Sequence, residues 1–287
     1  MAATKIALIV EYDGTRFHGF QAQVLSPTVQ EVLEQAAENF TGQKVRVHCA
    51  SRTDAGVHAE AQVVSLRTEA DHPASTWMRA LNHFLPEDVA VRAAVAIPVA
   101  YDVRTRATGR RYRYMILNRH TPSPLLRWRA YWQPRPLDIA AMNEAAATLV
   151  GEHDFGPFCS GKFRQSAGTK RIIRRVGFRR DGEMVVFEVE GKSFLPQQVR
   201  RMAGALVKVG LGKNSLAGFR ELAESGERAA AGPTLPAHGL TLMEIFYRDF
   251  PNEPEPVIDK AVENLYPSAE TRPPFPSRER WELKVGT

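Results

Sequence analysis

The feature that most constrains the fold is an order of predicted elements that occurs twice along the chain. The first half is predicted to run strand, helix, strand, strand, helix, strand, over residues 4–12, 28–41, 45–50, 61–67, 75–84 and 89–95. The second half repeats this order over 110–117, a helix with apolar Leu137, Ile139, Met142 and Leu149, then 170–179, 183–190, 197–210 and 240–247, with an extra helix near 215–225. This is the ferredoxin-like order. The sequence therefore predicts an α+β fold of two ferredoxin-like βαββαβ subdomains, with antiparallel sheets and a cleft between them.

Local signals support individual elements. Thr28 and Glu31 have the spacing of a capping box, and Gly42 is placed to end the helix that they begin. The pair Asp181-Gly182 predicts a turn between two strands of the second half.

Composition divides the chain into three regions. We expect an N-terminal subdomain at 1–105, a C-terminal subdomain at 106–250 and an extended tail at 251–287. The tail contains seven of the nineteen prolines, and its seven acidic and five basic residues give it a net charge of −2. Such a composition is typical of an extended segment rather than of a folded core.

Basic residues are concentrated in two segments of a chain whose net charge is +6. Residues 101–135 hold nine arginines and one acidic residue, and residues 160–180 hold eight basic residues and no acidic one. Aromatic residues lie between these charges. A nucleic-acid surface has this composition, and so does a solvated basic face, so charge alone leaves both open.

The rest of the composition indicates where the protein works. No apolar run approaches the roughly 20 residues of a membrane helix. Cys49 and Cys159 have no C-x-x-C companion, which favours buried thiols in a reducing, cytoplasmic compartment.

The segment from Ser51 to Ala59 is the strongest candidate for chemistry. Asp54 follows an arginine in a short polar loop between two predicted strands, where Gly56 permits a tight turn. Nearby positive charge favours an ionised carboxylate, which can act as a nucleophile. A turn aspartate paired with its neighbouring arginine is the alternative that the residues alone leave open.

Other chemistries have weaker support. His48, Asp54 and His58 lack a further ligand that would complete a metal set. Ser51 and Ser65 lack the G-x-S-x-G elbow of a hydrolase, and neither a P-loop nor a G-x-G-x-x-G motif is present. We therefore expect neither a metal nor a cofactor.

The segment Arg52-Thr53-Asp54-Ala55-Gly56-Val57-His58-Ala59 resembles the catalytic signature of the TruA family of tRNA pseudouridine synthases. Further matches occur in the family's order along residues 5–248. They are Gly19-Phe20-Gln21, Thr28-Val29-Gln30, Leu81-Asn82, Tyr101-Asp102-Val103-Arg104, Arg111-Tyr112-Arg113-Tyr114, Gly151-Glu152-His153-Asp154-Phe155, Phe194-Leu195, Val199-Arg200 and Pro236-Ala237-His238-Gly239-Leu240.

The resemblance implies an isomerase that needs no cofactor. Asp54 matches the aspartate that attacks the target uridine, and Tyr112 matches the tyrosine that stacks on the extruded uracil. Arg52 matches an arginine that helps to evict the base and hold the RNA, and Arg200 matches one that pairs with the catalytic carboxylate. The implied substrate is tRNA, at the uridines conventionally numbered 38, 39 and 40 in the anticodon stem-loop, and the implied assembly is a homodimer.

Three departures from the family pattern accompany these matches. Ser51 replaces a usual glycine, Asp102 replaces a histidine, and Pro196-Gln197 replaces a His-Asn pair. The alternative hypotheses for the function are the same chemistry on mRNA or rRNA, a non-catalytic RNA-binding protein on this scaffold and, more remotely, a metal-dependent nuclease.

Overall fold

The computed structural model describes residues 4–24, 27–160, 168–225, 227, 230–231 and 234–250. The predicted tail at 251–287 and the basic residues Lys162 and Arg164 lie outside this part of the chain.

The described residues form ten strands and five α-helices. In the first half these are β1 (Thr4–Tyr12), α1 (Val29–Thr41), β2 (His48–Cys49), β3 (His58–Thr68), α2 (Ala74–Phe84) and β4 (Val89–Ile97). In the second half they are β5 (Gly109–Leu117), β6 (Tyr131–Trp132), α3 (Ile139–Ala147), β7 (Gly151–Asp154), β8 (Lys170–Asp181), β9 (Met184–Gly191), α4 (Gln198–Gly210), α5 (Leu216–Glu224) and β10 (Leu240–Phe246). Within the described residues, no helix is both long and apolar enough to span a bilayer.

The strands form one sheet in the order β4-β1-β3-β10-β5-β9-β8-β7, with β2 beside β3 and β6 beside β5. Each half has the ferredoxin-like arrangement, in which the first and third major strands are central and its last strand flanks the first. The pairs within each half are antiparallel, apart from the short parallel pairing of β6 with β5. The predicted fold class is thus confirmed.

The two halves meet edge to edge where β10 pairs with β3. This contact is parallel and short, joining Thr241 to His58 and Leu242 to Ala59. It places the loop before β3 beside the second half of the molecule. The predicted subdomain limits at residues 105 and 250 stay a prediction.

Helix α1 begins and ends as its sequence indicates. The Glu31 amide donates to the Thr28 hydroxyl, and the Glu31 carboxylate accepts from the Thr28 amide. Gly42 ends the helix at a φ of 69°, a left-handed conformation that glycine adopts readily. Val29 and Leu33 of this helix are buried in the hydrophobic core.

The strand predicted at 45–50 is reduced to His48–Cys49. The Val47 amide donates to the Glu34 carboxylate of α1 instead of to a neighbouring strand. A backbone donor satisfied by a helix side chain does not extend the sheet, which explains the shortening.

Candidate active site

A tight loop between β2 and β3 carries Asp54. The Val57 amide donates to the Asp54 carbonyl at 3.1 Å, and Gly56 has a φ of +77°. Glycine is the residue that reaches this conformation at least cost. The turn leaves the Asp54 side chain at the edge of the sheet, where 39% of its surface is exposed.

The segment that follows β1 packs directly against this loop. The Phe20 amide donates to the Thr53 carbonyl at 3.1 Å, and the Gly56 amide donates to the Phe17 carbonyl at 3.2 Å. A side-chain carbon at Gly14 would lie 2.0 Å from the Val57 carbonyl oxygen. Gly14 is therefore required for this close approach.

A buried polar network lies beneath the loop and is centred on Gln62, which has no exposed surface. Its amide oxygen accepts from the Ser51 amide at 3.2 Å, and its amide nitrogen donates to the Ser51 carbonyl at 2.6 Å. The same nitrogen lies 3.4 Å from the Tyr12 hydroxyl, which is 2.8 Å from the Thr53 hydroxyl. Satisfied networks of this kind hold a backbone in one conformation.

A cleft of about 520 Å³ opens over Asp54, within the size range of small-molecule sites. Its walls come from both halves of the chain: the 50–57 loop, the start of β5, and the segment that runs from β9 into α4.

Arg200, in the first turn of α4, reaches Asp54 across the cleft. Its Nη1 atom lies 3.4 Å from Asp54 Oδ2, and its Nε atom donates to the Leu235 carbonyl at 2.8 Å. The contact to Asp54 is a single one, and the Nε edge of the guanidinium is bonded to Leu235 instead. The side chain of Arg200 is 14% exposed, so the carbonyl contact fixes its direction.

Tyr112 forms part of the cleft wall on β5. It is 6% exposed, its hydroxyl lies 2.9 Å from the Ser51 hydroxyl, and Phe194 meets its ring edge-on at 5.3 Å. Burial raises the pKa of Tyr112 to about 12, so the phenol is neutral at physiological pH. Arg111 and Arg113 face the other side of the sheet and pair with Glu244 and Glu188, as strand alternation predicts.

The cleft is strongly electropositive. Asp54 is the single carboxylate among the described residues that line it, and five arginines share its walls. These are Arg52, Arg104, Arg110, Arg171 and Arg200. Arg52 and Arg104 are exposed, which places two cations at the mouth. A phosphodiester chain would be attracted to such an opening.

Arg110 is a site residue that the sequence analysis assigned only to the basic surface. It is 8% exposed, and its guanidinium donates to carbonyl groups from three segments of the chain. The acceptors are Ala50, Arg104, Ala107 and Lys192. Burial lowers the pKa of Arg110. Its position two residues before Tyr112 on one strand was the signal that it shares the cleft face.

His58 connects three segments behind the loop. The Gly14 amide donates to Nδ1 at 3.0 Å, while Nε2 lies 2.9 Å from the Trp128 carbonyl and 3.1 Å from the His238 carbonyl. The Asp13 carboxylate also lies 3.0 Å from Nδ1, and burial lowers the pKa of His58. The described residues contain no group of three or more potential metal ligands.

Comparison with known proteins gives a consistent result. A family model described as tRNA pseudouridine synthase matches residues 8–105 and 145–248. The chain is similar to tRNA pseudouridine synthase A of Myxococcus xanthus, with 42% identity over 248 residues, which cover 86% of this chain and 93% of the relative. The enzyme of that name from Methylobacterium nodulans is 44% identical over 84% of this chain and 94% of its own length. The one from Acetivibrio thermocellus is 41% identical over 84% of this chain and 99% of its own length.

Proposed function

Since the chain belongs to the tRNA pseudouridine synthase family, we propose that it converts uridine to pseudouridine in the anticodon stem-loop of tRNA, at positions 38, 39 and 40. Asp54 is the nucleophile in this proposal, and no cofactor takes part. The observation that carries it is the placement of one carboxylate, held by Arg200, in an arginine-lined cleft beside the ring of Tyr112.

The reaction rearranges atoms that the substrate already contains. The Asp54 carboxylate attacks the uridine and forms a bond to it, the bond between N1 and the ribose breaks, and the freed base turns before C5 bonds to the same ribose carbon. The bond to Asp54 breaks in turn, which releases the product and regenerates the carboxylate. C5 loses a proton and N1 gains one, so substrate and product have the same composition. This balance requires neither an oxidant nor a source of energy.

Each cleft residue has a defined task in this scheme. The guanidinium of Arg200, 3.4 Å from the carboxylate of the nucleophile, fixes the direction of that carboxylate. The neutral aromatic ring of Tyr112 offers a surface on which the extruded uracil stacks. Arg52, at the mouth, contacts the RNA where the base leaves its helix or loop.

The chemistry of the site also favours a structured RNA with accessible bases. A uridine must leave its stack to reach a carboxylate inside a cleft, and this costs least in loops and at the ends of stems. The anticodon stem-loop meets that requirement. We further propose a homodimer, which sedimentation would test, and a cytoplasmic location, which cell fractionation would test.

The decisive experiment compares Asp54→Asn with Asp71→Asn, which removes an exposed carboxylate outside the cleft. An amide cannot act as the nucleophile. The Asp54 variant should fold and bind tRNA but form no pseudouridine, while the Asp71 variant should match the parent. Pseudouridine mapping of tRNA from a deletion strain, before and after complementation, provides the readout. Turnover by Asp54→Asn above background would remove the aspartate from its proposed role.

The same map separates the alternative functions. Loss of pseudouridine from mRNA or rRNA, with an unchanged tRNA, would favour another structured RNA. An unchanged map in every RNA class would favour a non-catalytic RNA-binding protein.

A further inference from the structure

Ser51 stands where the resembling family usually has glycine, and its hydroxyl is not left to solvent. Its Oγ atom lies 2.9 Å from the hydroxyl oxygen of Tyr112. We propose that Ser51 is a positioning residue that holds the ring of Tyr112 in place for the uracil. This inference rests on the proposed function, and it adds a positioning residue to that function.

Hydrogen bonds to the backbone at Ser51 fix the position of its side chain. Gln62 bonds to both the amide and the carbonyl of Ser51, at 3.2 and 2.6 Å. The carbonyl of the preceding residue, Ala50, accepts from Arg110 at 2.9 Å. Gln62 and Arg110 are themselves buried, so the loop cannot shift without breaking bonds that water does not replace.

The tether joins the two halves of the site. Ser51 precedes the nucleophile by three residues in the N-terminal half, whereas Tyr112 lies on β5 in the C-terminal half. Phe194 meets the Tyr112 ring edge-on, and Ser51 holds the hydroxyl end of that ring. The ring of Tyr112 and the Asp54 carboxylate are thereby held in a fixed position relative to each other. A glycine at position 51 supplies no hydroxyl for this contact.

A double-mutant cycle in single-turnover rate tests the role. Ser51→Ala should lower the rate about two- to tenfold, the value of one neutral hydrogen bond. Affinity for tRNA should stay at the parental value, because phosphate contacts determine it. Ser51→Thr retains the hydroxyl and should restore most of the rate. In a Tyr112→Phe background, which is slower from the start, Ser51→Ala should have no further effect.

Two outcomes of the double-mutant cycle would contradict the proposed role of Ser51. An equal loss in both backgrounds, or a parental rate for Ser51→Ala, would show that the hydroxyl does not act through Tyr112. Matching unfolding temperatures establish that the variants are folded.

A measurement without substrate separates this inference from the proposed function. In protein labelled with ¹³C at the tyrosine ζ carbon, the Tyr112 resonance is the one that Tyr112→Phe abolishes. Ser51→Ala should shift that resonance and leave those of the other tyrosines in place. An unmoved resonance overturns the tether even if the enzyme is active. A parent that forms no pseudouridine overturns the proposed function, while the resonance still reports on the tether.

Discussion

Arg110 and Arg200 are both held in the cleft by hydrogen bonds to backbone carbonyls, Arg110 to Ala50 and Arg200 to Leu235. Asp54, Tyr112 and Arg200 each lie in a motif that resembles the family pattern, and the structure brings the three into one cleft, while their roles stay predictions. The contact between Arg200 and the Leu235 carbonyl could not be predicted, since it depends on how the chain returns to the site after α5. Arg110 was grouped with the surface arginines because composition does not distinguish a buried cation from an exposed one. Two of its four carbonyl partners, Ala50 and Lys192, are distant in the chain and approach Arg110 only in the folded protein.

Arg200 and its neighbour Arg201 form a matched pair for a test at this scale. Consecutive helical residues point about 100° apart, and Arg201 does not line the cleft. Arg200→Ala should reduce the single-turnover rate by about tenfold or more, because the carboxylate loses its charged partner. Affinity for tRNA should change much less. Arg201→Ala should retain the parental single-turnover rate.

Arg200→Lys adds a test of geometry. The guanidinium bonds to Asp54 through one nitrogen and to Leu235 through another, which a single ammonium on a flexible stem cannot reproduce in the same positions. The lysine variant should therefore remain impaired in single turnover. Full activity would mean that positive charge alone is sufficient.

Among the secondary-structure elements, those with strong hydrophobic periodicity could be predicted to within a few residues. Helix α1 has both a capping box and an apolar face, and α4 has a nearly continuous buried face. The four-residue strand β7 was missed, because its Glu152, His153 and Asp154 are exposed and carry no alternating pattern. It is a strand only because its backbone pairs with β8. Pairing of this kind depends on tertiary contacts that a local pattern does not encode.

The backbone at the start of α4 is strained at Gln197, and a substitution there should relieve the strain. Gln197 has a φ of 63°, and it is the one residue other than glycine with a positive φ in the described part of the chain. Asparagine adopts this conformation more readily than glutamine does. Gln197→Asn should therefore raise the free energy of unfolding by about 0.5 kcal/mol, measured by denaturant titration.

The neighbouring glutamine is the control for this change. Gln198 is fully buried, and its side chain accepts from the Leu195 amide at 2.8 Å. Gln198→Asn shortens that side chain and should destabilise the protein by about 1 kcal/mol or more. If both substitutions lower stability equally, the conformation of Gln197 carries no strain.

At the scale of the whole molecule, the structure shows that fewer arginines are available to bind phosphate than the sequence predicts. Five of the nine arginines in 101–135 have acidic partners, and Arg110 is buried. The pairs are Arg106 with Asp249, Arg111 with Glu244, Arg113 with Glu188, Arg119 with Glu183 and Arg129 with Asp13. A charge count along the sequence cannot recognise these pairs, because the partners are distant in the chain. The exposed cations at the cleft, Arg52 and Arg104, are thus the better candidates for phosphate contact.

Salt dependence of tRNA binding distinguishes the two kinds of arginine. Each phosphate contact contributes a slope of about −0.7 to −0.9 to the plot of log affinity against log salt. Combined Arg52→Gln and Arg104→Gln should make that slope shallower by about 1.5. Arg113→Gln, which removes an arginine paired with Glu188 on the outer face, should leave the slope unchanged. Equal slopes for all three proteins would mean that the cleft arginines do not meet phosphates.

The last prediction at this scale concerns the residue at which the folded part of the chain ends. Asp249 accepts a bond from Arg106, and Phe250 packs edge-on against Tyr101 at 6.0 Å and lies 4.8 Å from Tyr247. These contacts join the end of the described chain to the segment between β4 and β5, so the folded body extends through Phe250. The proline-rich region at 251–287 follows directly, outside the family match that ends at residue 248.

A chain ending at Phe250 should therefore keep the parental unfolding temperature and the parental rate of pseudouridine formation. A chain ending at Tyr247 loses Asp249 and Phe250, so it should unfold several degrees earlier, about 2–4 °C for each kcal/mol lost. Thermal unfolding followed by circular dichroism and a tritium-release assay measure the two properties. The comparison is informative because the two truncations differ by three residues and both lack 251–287. If the chain ending at Phe250 is already unstable or inactive, residues 251–287 contribute to the body or to its assembly. If the chain ending at Tyr247 is as stable as the parent, the packing of Phe250 on Tyr101 adds nothing to the fold.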